Sequence, residues 1–153
     1  MFVKKWFNLS LVLSIALLGV AAFTTLKVLP AQAAATITVN STADDQANDG
    51  DCTLREAIIA ANTDTASGIA VGECVAGSGV DTIEFNIAGS GLHTIEPLTT
   101  LPDVTQTVTI DGYTEPGAAA NTAAHPLPMN GTLTVELDGT NLPLNSNTWA
   151  LKL

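Results

Sequence analysis

Basic residues are almost missing from this chain. Five Lys and Arg stand against fifteen Asp and Glu, and Lys4, Lys5 and Lys27 all precede Ala33. Past Ala33 only Arg55 and Lys152 remain beside all fifteen acids, a formal charge of −13 with the histidines neutral. Such a surface repels phosphate backbones and anionic lipid and offers no cations to displace their counterions, which excludes nucleic acid as a partner. Cysteine is scarce too. Cys52 and Cys74 have no histidine near them in sequence, a poor basis for a zinc site. Histidine occurs only as His93 and His125, without local acid–base partners, and both read as solvent-exposed loop residues. The two AGSG runs lack the lysine of a phosphate loop. After Leu26 no long apolar run follows, so the mature part has no membrane-spanning segment.

The long apolar run that does exist sits at the start. MFVKK is a basic opening, LSLVLSIALLGVAAF is apolar apart from its serines, and Ala31-Gln32-Ala33 is a small-x-small cleavage pattern. Residues 1–33 therefore read as a signal peptide, in preference to an uncleaved anchor from Trp6 to Leu26, and the chain is expected to be secreted or placed on the cell surface. In an oxidising compartment an even cysteine count favours a Cys52–Cys74 disulfide over two buried thiols.

What the sequence has in plenty is repetition. AGSGVDTIEF (Ala76 to Phe85) is followed by AGSGLHTIEP (Ala88 to Pro97), while TIEFN, TVTIDG and TVELDG recur from Thr82, Thr107 and Thr134. Within each, apolar and polar residues alternate: Ile83, Phe85 and Ile87; Val108 and Ile110; Leu133, Val135 and Leu137. Period-two alternation marks half-buried strands, and Gly, Pro, Asn and Asp between them supply turns. Short strands nested in a longer repeat predict a parallel β-helix, with an antiparallel β-sandwich as the alternative.

One segment breaks the strand pattern. In DCTLREAIIAAN, Thr53 and Glu56 have capping-box spacing, Leu54, Ala57, Ile58 and Ala61 share a helical face, and Asn62 is an acceptable stop. Two turns are unstable alone, so this helix is expected to lie as a hydrophobic lid on the open end of the strands.

The run VNSTADDQANDGDCTLREAIIAAN, followed by DTIEF and TIDGYTEPGA, resembles the N-terminal segment of bacterial exported proteins named for a Cys-Ser-Leu-Arg-Glu-Ala motif. Here Thr53 stands for the serine, a conservative change at a cap. The likeness covers about residues 35–140. It implies a right-handed parallel β-helix in a surface or secreted repeat protein, often adhesin-like. On this reading 1–33 is the signal peptide, 34–75 an N-terminal cap with acidic loop and helix, and 76–153 the first coils of a truncated β-helix whose WALKL end is another strand.

Chemistry is thin. Counted from Asp45, Asp49 and Glu56 match EF-hand ligand positions and Gly50 the turn position, but Ala47 stands where an oxygen is required. Asp45, Asp49 and Asp51 are thus weak calcium candidates, calcium is the only cofactor suggested, and Asp44 to Asp51 read first as a solvated loop favouring the helix start. Asn40 and Asn130 begin glycosylation-type triplets, read here as turn residues. Glu84, Glu96, Asp111 and Asp138 point outward, with Asp111 expected to stack between Asn86 and Asp138, yet Asp-Gly is first a turn. The leading expectation is a scaffold or adhesin-like module for an unidentified surface ligand or glycan, with no catalytic residues in this segment. The alternative is the start of a polysaccharide lyase or glycoside hydrolase whose site lies downstream. Intact-mass measurement of secreted protein should show a chain lacking everything up to about Ala33; a full-length mass in the membrane fraction would favour the anchor.

Overall fold

Ile37 and Val39 alternate with Thr36 and Thr38, and Ile83 and Phe85 with Thr82 and Glu84, so each stretch can bury one face of a strand. The computed structural model describes residues 33–143 and 149–152. In chain order they form β1 (Thr36–Val39), α1 (Leu54–Thr63), β2 (Asp81–Phe85), β3 (His93–Ile95), β4 (Val108–Asp111), a 3-10 helix (Gly112–Thr114) and β5 (Val135–Leu137). The expected signal peptide, Ala33 apart, lies outside the described residues.

β2 is the centre of a three-stranded parallel sheet, β1-β2-β4. Ile37 stands beside Ile83, Val39 beside Phe85 and Ile83 beside Ile110, which makes one apolar face. β3 and β5 form a second, two-stranded parallel sheet with Ile95 beside Leu137. The right-handed parallel β-helix is therefore corrected: among the described residues there are two small parallel sheets and one helix, with no solenoid of stacked coils. The antiparallel sandwich fails as well, since the strands pair in parallel and, among the described residues, the one antiparallel contact is an isolated bridge, Ala119 to Thr132.

The repeats misled for a physical reason. Alternation marks a strand with one dry face but does not say which sheet receives it. TVTIDG and TVELDG look like successive rungs, yet the first supplies β4 beside β2 and the second supplies β5 beside β3. The two AGSG copies divide in the same way, one leading into β2 and the other into β3. Thr82 pairs with Thr109 rather than Thr107, a slip of two that keeps every side chain on its face. Ahead of β5 the alternation reverses, with Leu133 exposed and Thr134 buried. WALKL is not a strand over its described residues. The Ala150 and Lys152 carbonyls accept from the N–H groups of Leu101 and Val104 at 3.4 and 3.0 Å.

α1 begins as its capping box dictates. Thr53 Oγ1 accepts from the Glu56 N–H at 3.2 Å, and Glu56 Oε2 accepts from the Thr53 N–H at 3.0 Å. The stop comes two residues after Asn62, at Asp64, which takes the left-handed conformation that Asp tolerates better than most residues. The Asn62 side chain instead reaches across to the Asp103 carbonyl and the Thr105 N–H, 2.8 Å each.

Leu54, Ala57, Ile58 and Ala61 join Ile37, Val39, Ile83, Phe85 and Ile95 in the core. The helix is not a one-sided lid, however, for Arg55 and Glu56 are buried as well. Residues 98–106 cover its other flank, with Arg55 donating to the carbonyls of Thr99 and Thr100 at 2.9 and 3.0 Å.

Ile58, at 1% exposure, is the most sensitive place to probe this packing. Ile58→Asp buries a carboxylate with no free cation nearby and should cost several kcal/mol, enough to unfold a marginal domain. Thr53→Ala should cost about 1 kcal/mol through the lost cap. Thermal melts check the order, and an Ile58→Asp protein that melts like wild type contradicts the packing.

Candidate functional site

Chain reversal after α1 brings the two cysteines together. Cys52, just ahead of the helix, is bonded to Cys74, with Cα atoms 4.7 Å apart. Both are fully buried. The bond closes a loop across 22 positions, worth roughly 3 kcal/mol by the chain-entropy estimate. Side chains on both sides reinforce it. Asn40 Oδ1 accepts from the Cys52 N–H at 2.7 Å, and Ser67 Oγ accepts from the Cys74 N–H at 2.9 Å.

The acids of the Asp44–Asp51 loop do not converge. Asp44 forms a bidentate pair with Arg55, its two oxygens 2.9 and 3.0 Å from Nε and Nη2, and also accepts from the Leu98 N–H. Asp45 offers its backbone carbonyl to Thr53 Oγ1 at 3.1 Å. Asp49 Oδ1 accepts from the Asp51 N–H at 3.0 Å, a local turn. Glu56, the twelfth position of the EF-hand count, is held at Thr53. Among the described residues no three His, Cys, Asp or Glu side chains are grouped for a metal.

Two carboxyls here are shifted in opposite directions. Burial pushes Glu56 above the ordinary glutamate range, against hydrogen bonds from Thr53 that pull it down and the charges of Glu73 and Asp45 that add to the rise. Glu73 is held below that range by the Ser67 hydroxyl, then by the Gly50 N–H. Ser67 Oγ lies 2.6 Å from Glu73 Oε2, and the Gly50 nitrogen 2.9 Å from Oε1. Glu56 borders a cleft of about 220 Å³ with Gln46, Ile59, Thr63, Thr65, Ala66 and Ser67.

The outward acids serve turns and neighbours. Asp111 Oδ1 accepts from the Tyr113 N–H at 2.9 Å and Asp138 Oδ1 from the Thr140 N–H at 2.8 Å, as Asp-Gly turns lead one to expect. The expected stack of Asn86, Asp111 and Asp138 does not form, for Asp111 pairs in register with Glu84. Glu96 accepts from Asn141 at 2.8 Å. The glycosylation-type asparagines are engaged too: Asn40 at Cys52 and Gly72, Asn130 at Thr122 and Ala123.

A polar junction at the end of β2 has no local sequence signal. His93 opens β3 instead of lying in an exposed loop, and its Nε2 sits 3.4 Å from Glu115 Oε1. Glu115 is 2% exposed, and its other oxygen accepts from the Ile87 N–H at 2.9 Å. Beside it Thr114 Oγ1 accepts from the Phe85 N–H at 2.8 Å. The Tyr-Thr-Glu-Pro stretch thus satisfies the amides where β2 ends. His125 is exposed and precedes a cis proline. A His–Glu pair has the ingredients of acid–base chemistry, but this one is shut inside the fold, out of reach of a polymeric substrate.

Comparison with family models, curated proteins and solved structures found no match. Function must therefore be argued from the residues themselves. Among the described residues no helix is long and apolar enough to cross a membrane.

The opposed shifts give a pH signature. Glu73, depressed in the fold, contributes stability above the ordinary glutamate range that is lost as pH falls through its lowered value. Glu56, raised in the fold, contributes below that range, and its contribution is lost as pH rises through the raised value. Glu73→Gln should therefore lower the Tm at pH 7, by an amount that shrinks as pH falls below the ordinary glutamate range. Glu56→Gln, which keeps an acceptor for the cap, should match or exceed wild type at pH 7. Melts across that range check both, and parallel curves for the two variants contradict the assignment.

Proposed function

We propose that this chain is the capped N-terminal end of an exported structural or binding module, scaffold-like or adhesin-like, at the cell surface or in the secreted fraction. One observation carries the reading: the buried and clustered side chains able to do chemistry are committed to holding the fold. Arg55 and Asp44 clamp the helix, Glu56 caps it, Glu73 ties down the disulfide loop, and Glu115 with His93 closes the end of β2. Lys152 is paired with Asp103 at 2.5 Å, so among the described residues no cation is left to grip an anionic polysaccharide. Export is supported by the basic and apolar opening of the sequence and by a disulfide that an oxidising compartment sustains. The resemblance to the Cys-Ser-Leu-Arg-Glu-Ala proteins points the same way, and the matching residues Cys52, Leu54, Arg55, Glu56 and Ala57 are all buried.

Fractionation of a bacterium expressing the full chain tests this proposal. Protein outside the cytoplasm with Cys52 and Cys74 linked is expected, and deletion of residues 1–33 should leave it inside with both thiols alkylatable. Assays on pectin and polygalacturonate should release neither reducing ends nor unsaturated uronates. A cytoplasmic protein, or release of either product, contradicts the reading.

A further inference from the structure

The two most exposed large apolar residues among those described lie three positions or fewer from the disulfide-bonded Cys74 or within its loop. Ile69 is 97% exposed and Val71 99% exposed, with Val75 half-exposed just beyond the disulfide. Isolated exposed apolar residues need no explanation, but these sit on a segment that is fastened from several sides. Asn48 Oδ1 accepts from the N–H groups of both Ile69 and Ala70, at 2.6 and 3.1 Å. The Asn40 amide donates to the Gly72 carbonyl at 2.9 Å. Gly50 and Ser67 both donate to Glu73, and the Ser67 N–H donates to the Cys74 carbonyl at 3.1 Å. A Cβ on Gly72, at φ +107°, would lie 1.9 Å from the Gly50 carbonyl oxygen, so the two loop segments touch with no room between them.

A loose loop could fold Ile69 and Val71 inward, and this one is anchored on both sides of them. Rigid presentation of apolar side chains lowers the ordering cost of association. The surroundings identify the complement. Gly50 abuts Val71, since a Cβ there would meet the Val71 carbonyl oxygen at 2.9 Å, and Gly50 is flanked by the exposed acids Asp49 and Asp51. We propose that Ile69 and Val71 form a preorganised docking knob for a partner protein whose surface offers an apolar pocket rimmed by Lys or Arg. Charge complementarity selects this occupant. A second copy is a poor fit: among the described residues Arg55 and Lys152 are the only bases, both already in ion pairs, so two copies meet acid against acid. Anionic lipid is repelled for the same reason. The knob goes beyond the proposed function and does not depend on export.

The full chain can be titrated against a labelled amphipathic helical peptide of leucine and lysine, its apolar stripe bordered by lysines, with an all-lysine peptide of equal length as control. Fluorescence anisotropy should show binding of the Leu/Lys peptide that the double variant Ile69→Ser, Val71→Ser weakens about tenfold or more. Its thermal melt should be unchanged, since both side chains are solvent-exposed. Asp49→Asn with Asp51→Asn should also weaken binding and flatten its dependence on salt. Equal binding by the serine variant, equal binding of the all-lysine control, or no binding of the Leu/Lys peptide overturns the proposal. So does co-sedimentation with phosphatidylcholine vesicles that the serine variant loses, which assigns the knob to lipid instead.

Discussion

A ten-residue helix is too short to persist in water, and α1 survives here because it is fixed at its start and covered on both flanks. The capping box sets the first turn, the Cys52–Cys74 bond holds the chain entering it against the chain leaving it, and the core receives Leu54, Ala57, Ile58 and Ala61. On the opposite flank Arg55 binds Asp44 and two carbonyls of the segment following β3, so a charged side chain cements a loop that apolar contact alone would leave loose. A buried ion pair of this kind adds little net stability over an apolar replacement, but breaking it by removing one partner costs several kcal/mol. Its value is in fixing one arrangement of the loop over the helix.

The same logic organises the sheets. β2 lies between β1 and β4 and receives support at both ends from buried carboxylates. At its start Asp81 Oδ1 accepts from the N–H groups of Ala35 and Ser78, at 3.1 and 2.8 Å, tying the entry of β1 to the turn before β2. At its end Thr114 and Glu115 take the amides of Phe85 and Ile87. Strands of three to five residues bury little apolar area, and these side-chain acceptors complete the hydrogen bonding that short ladders leave undone. The fold can hold the buried carboxylates of Glu56, Asp81 and Glu115 because each sets one oxygen on backbone N–H groups.

The helix was legible because its signals are local: a cap, its partner three residues on, and apolar residues at helical spacing lie within one short window. The disulfide was legible from the even cysteine count and the export signal. The repeats suggest a parallel β-helix that the fold does not form, because TVTIDG and TVELDG share a pattern that fits either sheet and only long-range pairing separates them. Alternation places Leu133 inward with Val135, yet it is exposed while Thr134 is buried, since a shift of phase in a loop leaves no trace in alternation. The burial of Arg55, Asp81 and Glu115, and the half-buried place of His93 beside Glu115, leave no local signal for a related reason. Their partners are distant in sequence, and nothing near them announces burial.

Native-state hydrogen exchange addresses the keystone role of α1 most directly. If the helix is locked from both flanks, the amides of Ala57 to Ala61 and of Ile83 exchange only through global unfolding, with the same free energy as the thermal or denaturant transition. Reduction of Cys52–Cys74 should then lower protection at both places together. Helix amides that exchange as fast as the exposed segment around Asn121 to Asn130 in the oxidised protein would contradict that role.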